Sequence, residues 1–241
     1  MKELNLQLKD TEWPLEYIDH DRKIVRAIVF DDQENYYFVR AKRDDDFGKA
    51  TLIETSGGGV EAGEDLETAL KRELKEELGA EVEIMHKIGI VSDYYNLIHR
   101  HNINNYYLCR VKSFGTKHLT QQEIDNFHLS TLKLNYEEAV AEYEKCAATK
   151  IGKLIAAREL PVLKYAKKLI DEDLKRSKIK TVALIARATV LPLSTRHATS
   201  KQMKMTISKL KSKCQITLEL DETLHDIPYL NHARQVDSRK R

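Results

Sequence analysis

The sequence lacks any long hydrophobic run, which excludes one class of protein at the outset. No stretch of eighteen consecutive apolar residues occurs in the chain, whereas a membrane-spanning helix needs about 20. The most apolar segment, residues 181–193, is too short to span a bilayer and contains Arg187. The first residues also lack the apolar core of a secretion signal. We therefore expect a cytoplasmic protein with no membrane partner.

Cysteine is sparse, and neither cysteine nor histidine shows a metal-binding pattern. The three cysteines, Cys109, Cys146 and Cys214, are an odd number without metal-ligand spacing, so they are expected to be reduced thiols in ordinary positions. None has a recognisable base nearby in sequence, which argues against a nucleophilic role. The nine histidines form no zinc pattern. Internal repeats are also lacking.

Charge is unevenly divided along the chain, although the net charge is only +2. Residues 175–241 hold 15 Lys or Arg against 5 Asp or Glu, a net of +10, which leaves −8 for residues 1–174. A length of 241 residues with 41% hydrophobic residues allows one full domain and a smaller appendage. We predict a domain at 1–174 and a small basic C-terminal α/β segment or domain at 175–241.

The basic segment has two interpretations. Its pattern predicts a strand at 181–190, a basic helix at 200–213, a second strand at 215–220 and a disordered end at 237–241. Basic charge could bind nucleic acid through phosphates. No base-reading motif accompanies the charge, so a solvated small domain against the acidic part is favoured over a nucleic-acid partner.

Earlier in the chain, the pattern predicts the elements of an α/β domain. Strand-like runs lie at 23–30 and 36–40, with a polar turn between them that predicts a hairpin. A second turn is predicted at 42–49 and a short strand at 50–54. Later runs at 82–91, 105–111 and 129–134 are also strand-like. Helices are predicted at 136–148 and 151–174, the second kinked or divided by Pro161.

Residues 66–78 carry the clearest helical pattern. Four leucines recur every four residues, which gives an amphipathic helix with one apolar face for the core. Acidic residues at its start suit the positive end of the helix dipole. Gly79 stands where a left-handed C-terminal cap belongs. Both ends of the helix are therefore predicted.

On the other side of this helix, Glu73, Glu76 and Glu77 crowd one patch of surface at i, i+3 and i+4. Like charges at these spacings repel by roughly a few tenths of a kcal/mol per pair. Arg72 offsets part of this repulsion, but one guanidinium does not balance three acids. Mg²⁺ takes hard oxygen ligands and is commonly held by carboxylates together with substrate phosphates. A magnesium site is therefore predicted here.

Three successive glycines, Gly57, Gly58 and Gly59, precede the helix. Glycine lets the backbone approach a ligand closely and adopt positive φ without a clash, and backbone N–H groups near a helix start suit phosphates. Glycines alone are weak evidence. Coupled to three carboxylates at fixed spacing, they predict a phosphate-binding loop and argue against an ordinary solvated helix face.

The stretch from Gly58 to Ala80 resembles a complete Nudix box. The pattern is a glycine, five residues, a glutamate, seven residues, then Arg-Glu-apolar-x-Glu-Glu-x-Gly-apolar, and every fixed position is filled, with Ala80 smaller than usual. By element order the resemblance covers residues 20–172. It implies an α/β/α sandwich on a mixed sheet. It also implies Mg²⁺- or Mn²⁺-dependent hydrolysis of a nucleoside diphosphate linked to another group X.

The resemblance also implies roles for single residues. Glu73 and Glu77 match the principal metal ligands, and Glu76 matches the third acidic position, which assists the metals or the attacking water. Arg72 matches the arginine that orients these glutamates. Gly57 matches the residue whose carbonyl contacts the metal. These roles are expectations carried over position by position.

Further positions have open alternatives. Glu64 matches the first glutamate of the box, which is more structural in the family. The general base varies in the family between a box glutamate, here Glu76 or Glu77, and an acid on a later loop. Glu123 is the best later candidate, and an ordinary exposed acid is the alternative.

The expected substrate is a nucleotide-type small molecule. Gly58 and Gly59 would contact its phosphates, while Tyr94 would stack on a base and Arg100 would meet a phosphate. The alternative is that Tyr94 and its neighbouring tyrosines belong to the core and that the loop at 99–101 is solvated. The group X and the oligomeric state stay open, a homodimer included.

Two rival functions belong to other classes. The first is a nucleotide-sensing transcriptional regulator, in which the basic segment binds DNA. Regulators that resemble this layout commonly have damaged boxes, and this box is intact. The second is the diphosphate isomerase branch of the same fold, whose additional catalytic residues have no match in this chain.

Overall fold

The computed structural model describes residues 2–194, which form eight strands and four helices. A single 3₁₀ turn at Asn96–Ile98 connects two of the strands. In chain order the elements are β1 (Leu4–Leu8), β2 (His20–Phe30), β3 (Tyr36–Asp45), β4 (Gly48–Glu54), β5 (Ser56–Gly59), α1 (Leu66–Leu78), β6 (Ala80–Tyr95), β7 (Arg100–Phe114), α2 (Gln121–Asp125), β8 (Ser130–Leu134), α3 (Tyr136–Cys146) and α4 (Lys150–Ser194).

All eight strands join one mixed sheet. The main order is β1-β6-β7-β2-β3-β4, with β5 paired to β2 and β8 paired to β3. The β2–β7 and β1–β6 pairs are parallel, and the others are antiparallel. The middle of β2, residues 24–27, pairs with β5, and its end pairs with β3. This split holds the glycine segment against the centre of the sheet.

Alternation along the strands supplies a core on each face of the sheet. In β2, Val25, Ala27 and Val29 pack with the leucines of α1. Ile28 and Phe30 point to the opposite face of the sheet and pack with side chains from α3 and α4. Because successive residues of a strand point to opposite faces, one strand feeds both cores. The α/β/α sandwich predicted from the sequence is confirmed.

Helix α1 begins and ends where its pattern predicts. The Asp65 carboxylate accepts hydrogen bonds from the backbone N–H groups of Glu67 and Thr68. At the other end, Gly79 adopts a left-handed conformation with φ of 66°. Its N–H donates to carbonyls of the last turn, which is the usual role of glycine at this position.

Three predicted local features are wrong. The turn expected at 42–49 is much tighter, since β3 continues to Asp45 and β4 begins at Gly48. The glycine segment is a strand, β5, and not a loop. The predicted division of the last helix at Pro161 does not occur, because α4 is continuous through this residue. Pro161 and Ala157 are exposed, so the carbonyl that loses its helical hydrogen bond to proline faces water.

The strand predicted at 181–190 is also wrong, because α4 runs through these residues to Ser194. The run of β-branched and apolar residues there continues a helix that has already formed, and continuing a helix costs less than starting a new element. Residues 200–213, 215–220 and 237–241, and Cys214, lie outside the described residues.

The contacts of the chain divide it into two units, Met1–Asp171 and Glu172–Arg241. The first contains the whole sheet and α1 to α3. In the second, the described residues 172–194 are helical. The predicted domains at 1–174 and 175–241 remain a prediction. Within the described chain, no helix is both long enough and apolar enough to cross a membrane.

Candidate active site

Strand β5 brings the glycines against two parts of the fold. Gly57 has φ of 145°, and a Cβ there would collide with the carbonyl of Val25 in β2. A Cβ on Gly58 would lie 2.5 Å from the carboxylate of Glu73. Strand pairing and the approach of Glu73 therefore explain why these two positions hold glycine, whether or not a ligand is bound.

The glycines do not lie at the N-terminus of α1, as the phosphate-loop prediction required. Six residues separate Gly59 from Leu66, the first residue of the helix. The N–H groups of Glu67 and Thr68 in the first turn are already bonded to Asp65. A negatively charged cap of this kind removes the attraction of a helix start for phosphate.

Arg72 links Glu64, Glu73 and Glu76 to the strand β5. Its guanidinium makes two parallel hydrogen bonds to Glu64, at 3.0 and 2.9 Å. It also donates to Glu73 at 2.8 Å and to Glu76 at 3.3 Å. A further hydrogen bond of 3.1 Å reaches the carbonyl of Gly59. Arg72 therefore has the contacts needed to orient Glu73 and Glu76.

Glu77 is the most enclosed carboxylate of the helix. It is 9% exposed and accepts hydrogen bonds from the Ser56 hydroxyl at 2.6 Å and the Gly57 N–H at 2.9 Å. Burial raises the pKa of Glu77 to about 7, against the opposing effect of these two hydrogen bonds. The carboxylate is thus positioned by β5 but is costly to ionise without a cation.

The charge of Glu123 acts on Glu73. Burial raises the pKa of the Glu73 carboxyl, and the charges of Glu76 and Glu123 raise it further. Glu123 belongs to the short helix α2 and accepts hydrogen bonds from the N–H and hydroxyl of Thr120. The segment before α2 is tied to α1 by a hydrogen bond of 2.9 Å from the His118 N–H to the Glu76 carbonyl. Tertiary structure therefore brings Glu123 into the field of the box glutamates.

The donor set suits a hard divalent cation. Glu73, Glu76 and Glu77 lie within about one and a half turns of helix, and of the three only Glu73 and Glu76 contact the guanidinium of Arg72. Burial raises the pKa values of Glu73 and Glu77. Among the described residues, no three acidic, histidine or cysteine side chains are already gathered around one point. Glu73 and Glu76 contact Arg72 instead, while Glu77 contacts β5. The chemistry fits Mg²⁺, and the choice of ligands is a proposal.

Comparison with known proteins identifies the family. The model of the NUDIX domain matches residues 20–148, which is more than half of the chain and includes the strands, the glycines and α1. The chain belongs to the Nudix family. It is therefore a hydrolase that acts on pyrophosphate bonds, and its MutT-like box is the candidate active site.

Solved structures of low identity are also similar to this Nudix chain. A NUDIX hydrolase from Nitrosomonas europaea is 20% identical over 51% of this chain and 78% of its own, with a TM-score of 0.43. The ORF135 protein of E. coli is 22% identical over 65% and 95%, with a TM-score of 0.43. A MutT NUDIX hydrolase from Burkholderia pseudomallei is 20% identical over 49% and 86%, with a TM-score of 0.40. Scores this low add nothing to the family assignment. No curated protein gives a significant match.

The predicted substrate residues Tyr94 and Arg100 are not brought together. Tyr94 stacks on His101, with ring centroids 4.5 Å apart. Arg100 lies over the ring of Tyr95 at 5.5 Å. Since successive residues alternate between faces of a sheet, Tyr94 and Arg100 project from opposite faces and cannot act on one small group. Tyr106 is a core residue, as the alternative interpretation proposed.

Sequence reasoning missed a buried polar network beneath the Nudix box. Arg158 and Glu159, at the centre of α4, are both 0% exposed. Arg158 donates to Asp93 at 3.0 Å, and Glu159 accepts from the hydroxyls of Thr55 at 3.1 Å and Tyr106 at 3.0 Å. Thr55 directly precedes β5. The network thereby connects α4 to the glycine strand that holds Glu77.

A signal for this network exists in the sequence. Arg158 and Glu159 interrupt the apolar side of α4, and Arg26 interrupts the apolar run of β2. Charged residues at core positions are almost never fully buried unless they are paired. Such interruptions can identify the residues, but the sequence does not tell which acid faces which base.

Proposed function

We propose that this protein is a Mg²⁺-dependent hydrolase of the diphosphate linkage in nucleoside diphosphate derivatives. The observation that carries the proposal is the arrangement at α1 and β5, where Glu73, Glu76 and Glu77 stand beside the glycine strand with a single arginine between them. This arrangement suits the reaction of the family, which needs carboxylates that bind a cation and a cation that binds the phosphates of the substrate.

The proposed roles follow from the contacts. Glu73, Glu76 and Glu77 hold the metal, with the carbonyl of Gly57 as a further oxygen donor. Arg72 orients Glu73 and Glu76. A bound Mg²⁺ supplies polarisation of the phosphoryl oxygens and a lowered pKa for the attacking water. Gly58 and Gly59 lie beside the Glu73 carboxylate and the Arg72 guanidinium, where a diphosphate would bind.

Glu123 is proposed as the general base, which takes a proton from the attacking water onto its carboxylate. Its support is that its charge acts on Glu73 and that the hydrogen bond from the His118 N–H to the Glu76 carbonyl ties the segment before α2 to α1. The sequence left Glu76 and Glu77 as alternative bases. Glu77 is less suited to this role, since both of its hydrogen-bond donors come from β5 and it is nearly enclosed.

The test is a panel of nucleotide derivatives with Mg²⁺ and identification of products, which compares the wild type with Glu77→Gln. Loss of the buried ligand is expected to lower kcat by more than about 100-fold, beyond what a supporting residue costs. The matched control is Glu67→Gln, which alters an exposed glutamate of the same helix and is expected to leave turnover unchanged. Equal turnover by Glu77→Gln and the wild type would show that Glu77 is not a metal ligand.

A further inference from the structure

Two arginines on the sheet have no acidic partner. Among the arginine side chains that the structure describes, only Arg22 and Arg100 lack an Asp or Glu within 4 Å. The other described arginines each form at least one such pair, namely Arg26, Arg40, Arg43, Arg72, Arg110, Arg158 and Arg176. Natural surfaces commonly leave an exposed arginine unpaired, but Arg100 is half-buried.

The two arginines lie on neighbouring strands and on one face. In the parallel pair of β2 and β7, His20 is opposite Arg100 and Arg22 is opposite Asn102. Register partners and residues two apart share a face of the sheet, so Arg22, Arg100 and Asn102 project to the same side. The pKa of Arg100 is lowered by burial and by the positive charge of Arg22. The two guanidinium groups therefore repel each other, and acidic charge acts on them only from beyond 4 Å, from Asp93 on Arg100 and from Glu73 on Arg22.

Asn102 supplies an independent observation. Its side chain is 1% exposed, and its Oδ1 has no hydrogen-bond partner among the described residues. The Nε of Arg100 is likewise buried without a partner. Leaving one such group unpaired costs about 1–3 kcal/mol. Buried polar atoms are nearly always paired, so two unpaired atoms on adjacent residues of one strand face indicate a missing ligand.

Arg22 connects this group of side chains to the Nudix box. The guanidinium of Arg22 packs on the glycine strand, 3.2 Å from the position that a Cβ on Gly59 would occupy. Burial and the nearby charge of Arg26 lower the pKa of Arg22, and the charge of Glu73 opposes them. Arg22 thus lies between the metal-binding carboxylates on one side and Arg100 with Asn102 on the other.

We propose that Arg22, Arg100 and Asn102 form a phosphate subsite next to the box, so that the preferred substrate carries a phosphate in addition to the diphosphate that is hydrolysed. Two guanidinium groups match the charge of one phosphate, about −1.5 to −2 at neutral pH, and bind its oxygens through charge-assisted hydrogen bonds. The Asn102 amide presents its nitrogen to the same group after rotation, since its oxygen and nitrogen positions are nearly equivalent in shape.

This inference rests on the proposed function for the location of the diphosphate, but its first test does not require hydrolysis. Binding of inorganic tripolyphosphate is measured by calorimetry without divalent cations for the wild type, Arg22→Gln and Arg100→Gln. Each substitution is expected to weaken binding by about 10- to 100-fold, the value of a charge-assisted contact. The matched control is Arg110→Gln in the same strand as Arg100, where the guanidinium is already paired with Glu83, and it is expected to bind as the wild type does.

The second test compares KM for a nucleoside triphosphate and for a nucleoside diphosphate sugar. Arg22→Gln and Arg100→Gln are expected to raise KM at least about tenfold for the triphosphate and much less for the sugar derivative. If Arg100→Gln does not fold, the KM values of Arg22→Gln decide whether the subsite exists. Arg22 is an exposed residue, so its replacement is expected to leave the fold intact.

The possible failures are distinguishable. If the wild type binds tripolyphosphate through Arg22 and Arg100 but hydrolyses no compound, the subsite stands and the hydrolase proposal fails. If nucleotides are hydrolysed but Arg22→Gln and Arg100→Gln bind tripolyphosphate as Arg110→Gln does, the subsite is overturned and the hydrolase stands.

Discussion

At the scale of single residues, the burial that suits Glu77 to its proposed role as a metal ligand destabilises its ionised form when no cation is bound. A metal ligand must be ionised, yet burial raises the pKa of Glu77 to about 7. The hydrogen bonds from Ser56 and Gly57 favour the ionised form but do not outweigh the loss of water. Binding of a cation removes this conflict, because a positive charge favours the carboxylate.

This conflict predicts a pH effect on stability in the absence of divalent cations. Glu77 has a folded pKa of about 7 and an ordinary value of 4.5, so between these pH values the folded state binds more protons than the unfolded state. Stability is therefore expected to fall as pH rises from 4.5 to 7, by roughly 3 kcal/mol from this group. Glu77→Gln removes the titration.

The measurement is the free energy of unfolding in urea with EDTA at several pH values. The difference in stability between Glu77→Gln and the wild type is expected to grow in favour of the variant up to neutral pH. Added Mg²⁺ is expected to stabilise the wild type more than the variant. A constant difference across this pH range would show that Glu77 is not the buried titrating group.

A second residue-scale prediction concerns Gly58. A Cβ at this position would lie 2.5 Å from the Glu73 carboxylate, whereas a Cβ on Gly115 has no neighbour closer than 3.9 Å. Gly58→Ala is therefore expected to displace Glu73 and weaken Mg²⁺ binding by more than about tenfold. Gly115→Ala is the matched control. Calorimetric titration with Mg²⁺ measures both, and equal affinities would contradict the close packing of Glu73 on β5.

At the scale of elements, α4 does more than cover the sheet. Its Arg158 and Glu159 are fully enclosed and contact side chains on β6, β7 and the residue before β5. A buried ion pair contributes little compared with apolar residues of the same size, but removing one partner leaves an uncompensated buried charge. The network therefore specifies where the helix sits more than it adds stability.

Arg158→Met is the corresponding prediction. It leaves Glu159 and Asp93 without their cation and is expected to destabilise the fold by about 3–5 kcal/mol. Arg110→Met, at a half-exposed pair with Glu83, is expected to cost no more than about 1 kcal/mol. Urea unfolding curves for both variants measure the two values. Similar small losses would mean that water reaches Arg158 in solution.

At the scale of the whole molecule, the hydrophobic cores end before the basic segment begins. The last buried core residues of α4 are Leu169 and Ile170, and residues 174–181 are exposed. A chain that ends after residue 174 is therefore expected to fold and to hydrolyse its substrate with an unchanged kcat. Thermal unfolding and turnover of the shortened chain measure this. A loss of folding would show that the segment after 174 contributes to the first unit, against the predicted domain division.

The regulator hypothesis depends on that basic segment. The strand predicted at 181–190 is helical, and most of the remaining segment lies outside the described residues. The family model matches residues 20–148, and the comparisons give no support for DNA binding.

The sequence by itself determined the local features. The leucine spacing, the acidic residues at the helix start and Gly79 predicted α1 nearly to the residue, because periodicity and local signals at the two ends decide a helix. The spacing of Glu73, Glu76 and Glu77 similarly predicted which carboxylates share a surface, since the helix repeat alone brings them together. The two strand-like runs and the polar turn between them predicted the hairpin of β2 and β3.

Only the tertiary structure decided the features that depend on distant parts of the chain. Pairing of β5 with β2 turned the predicted glycine loop into a strand. Parallel pairing of β2 with β7 placed Arg22 beside Asn102, although 80 positions separate them in the sequence. Alternation of side chains along the strands placed Tyr94 and Arg100 on opposite faces of the sheet, although the sequence had predicted that both contact the substrate. The register between distant strands is set by the burial of the apolar face of each strand against the rest of the fold, and no local pattern in the chain encodes it.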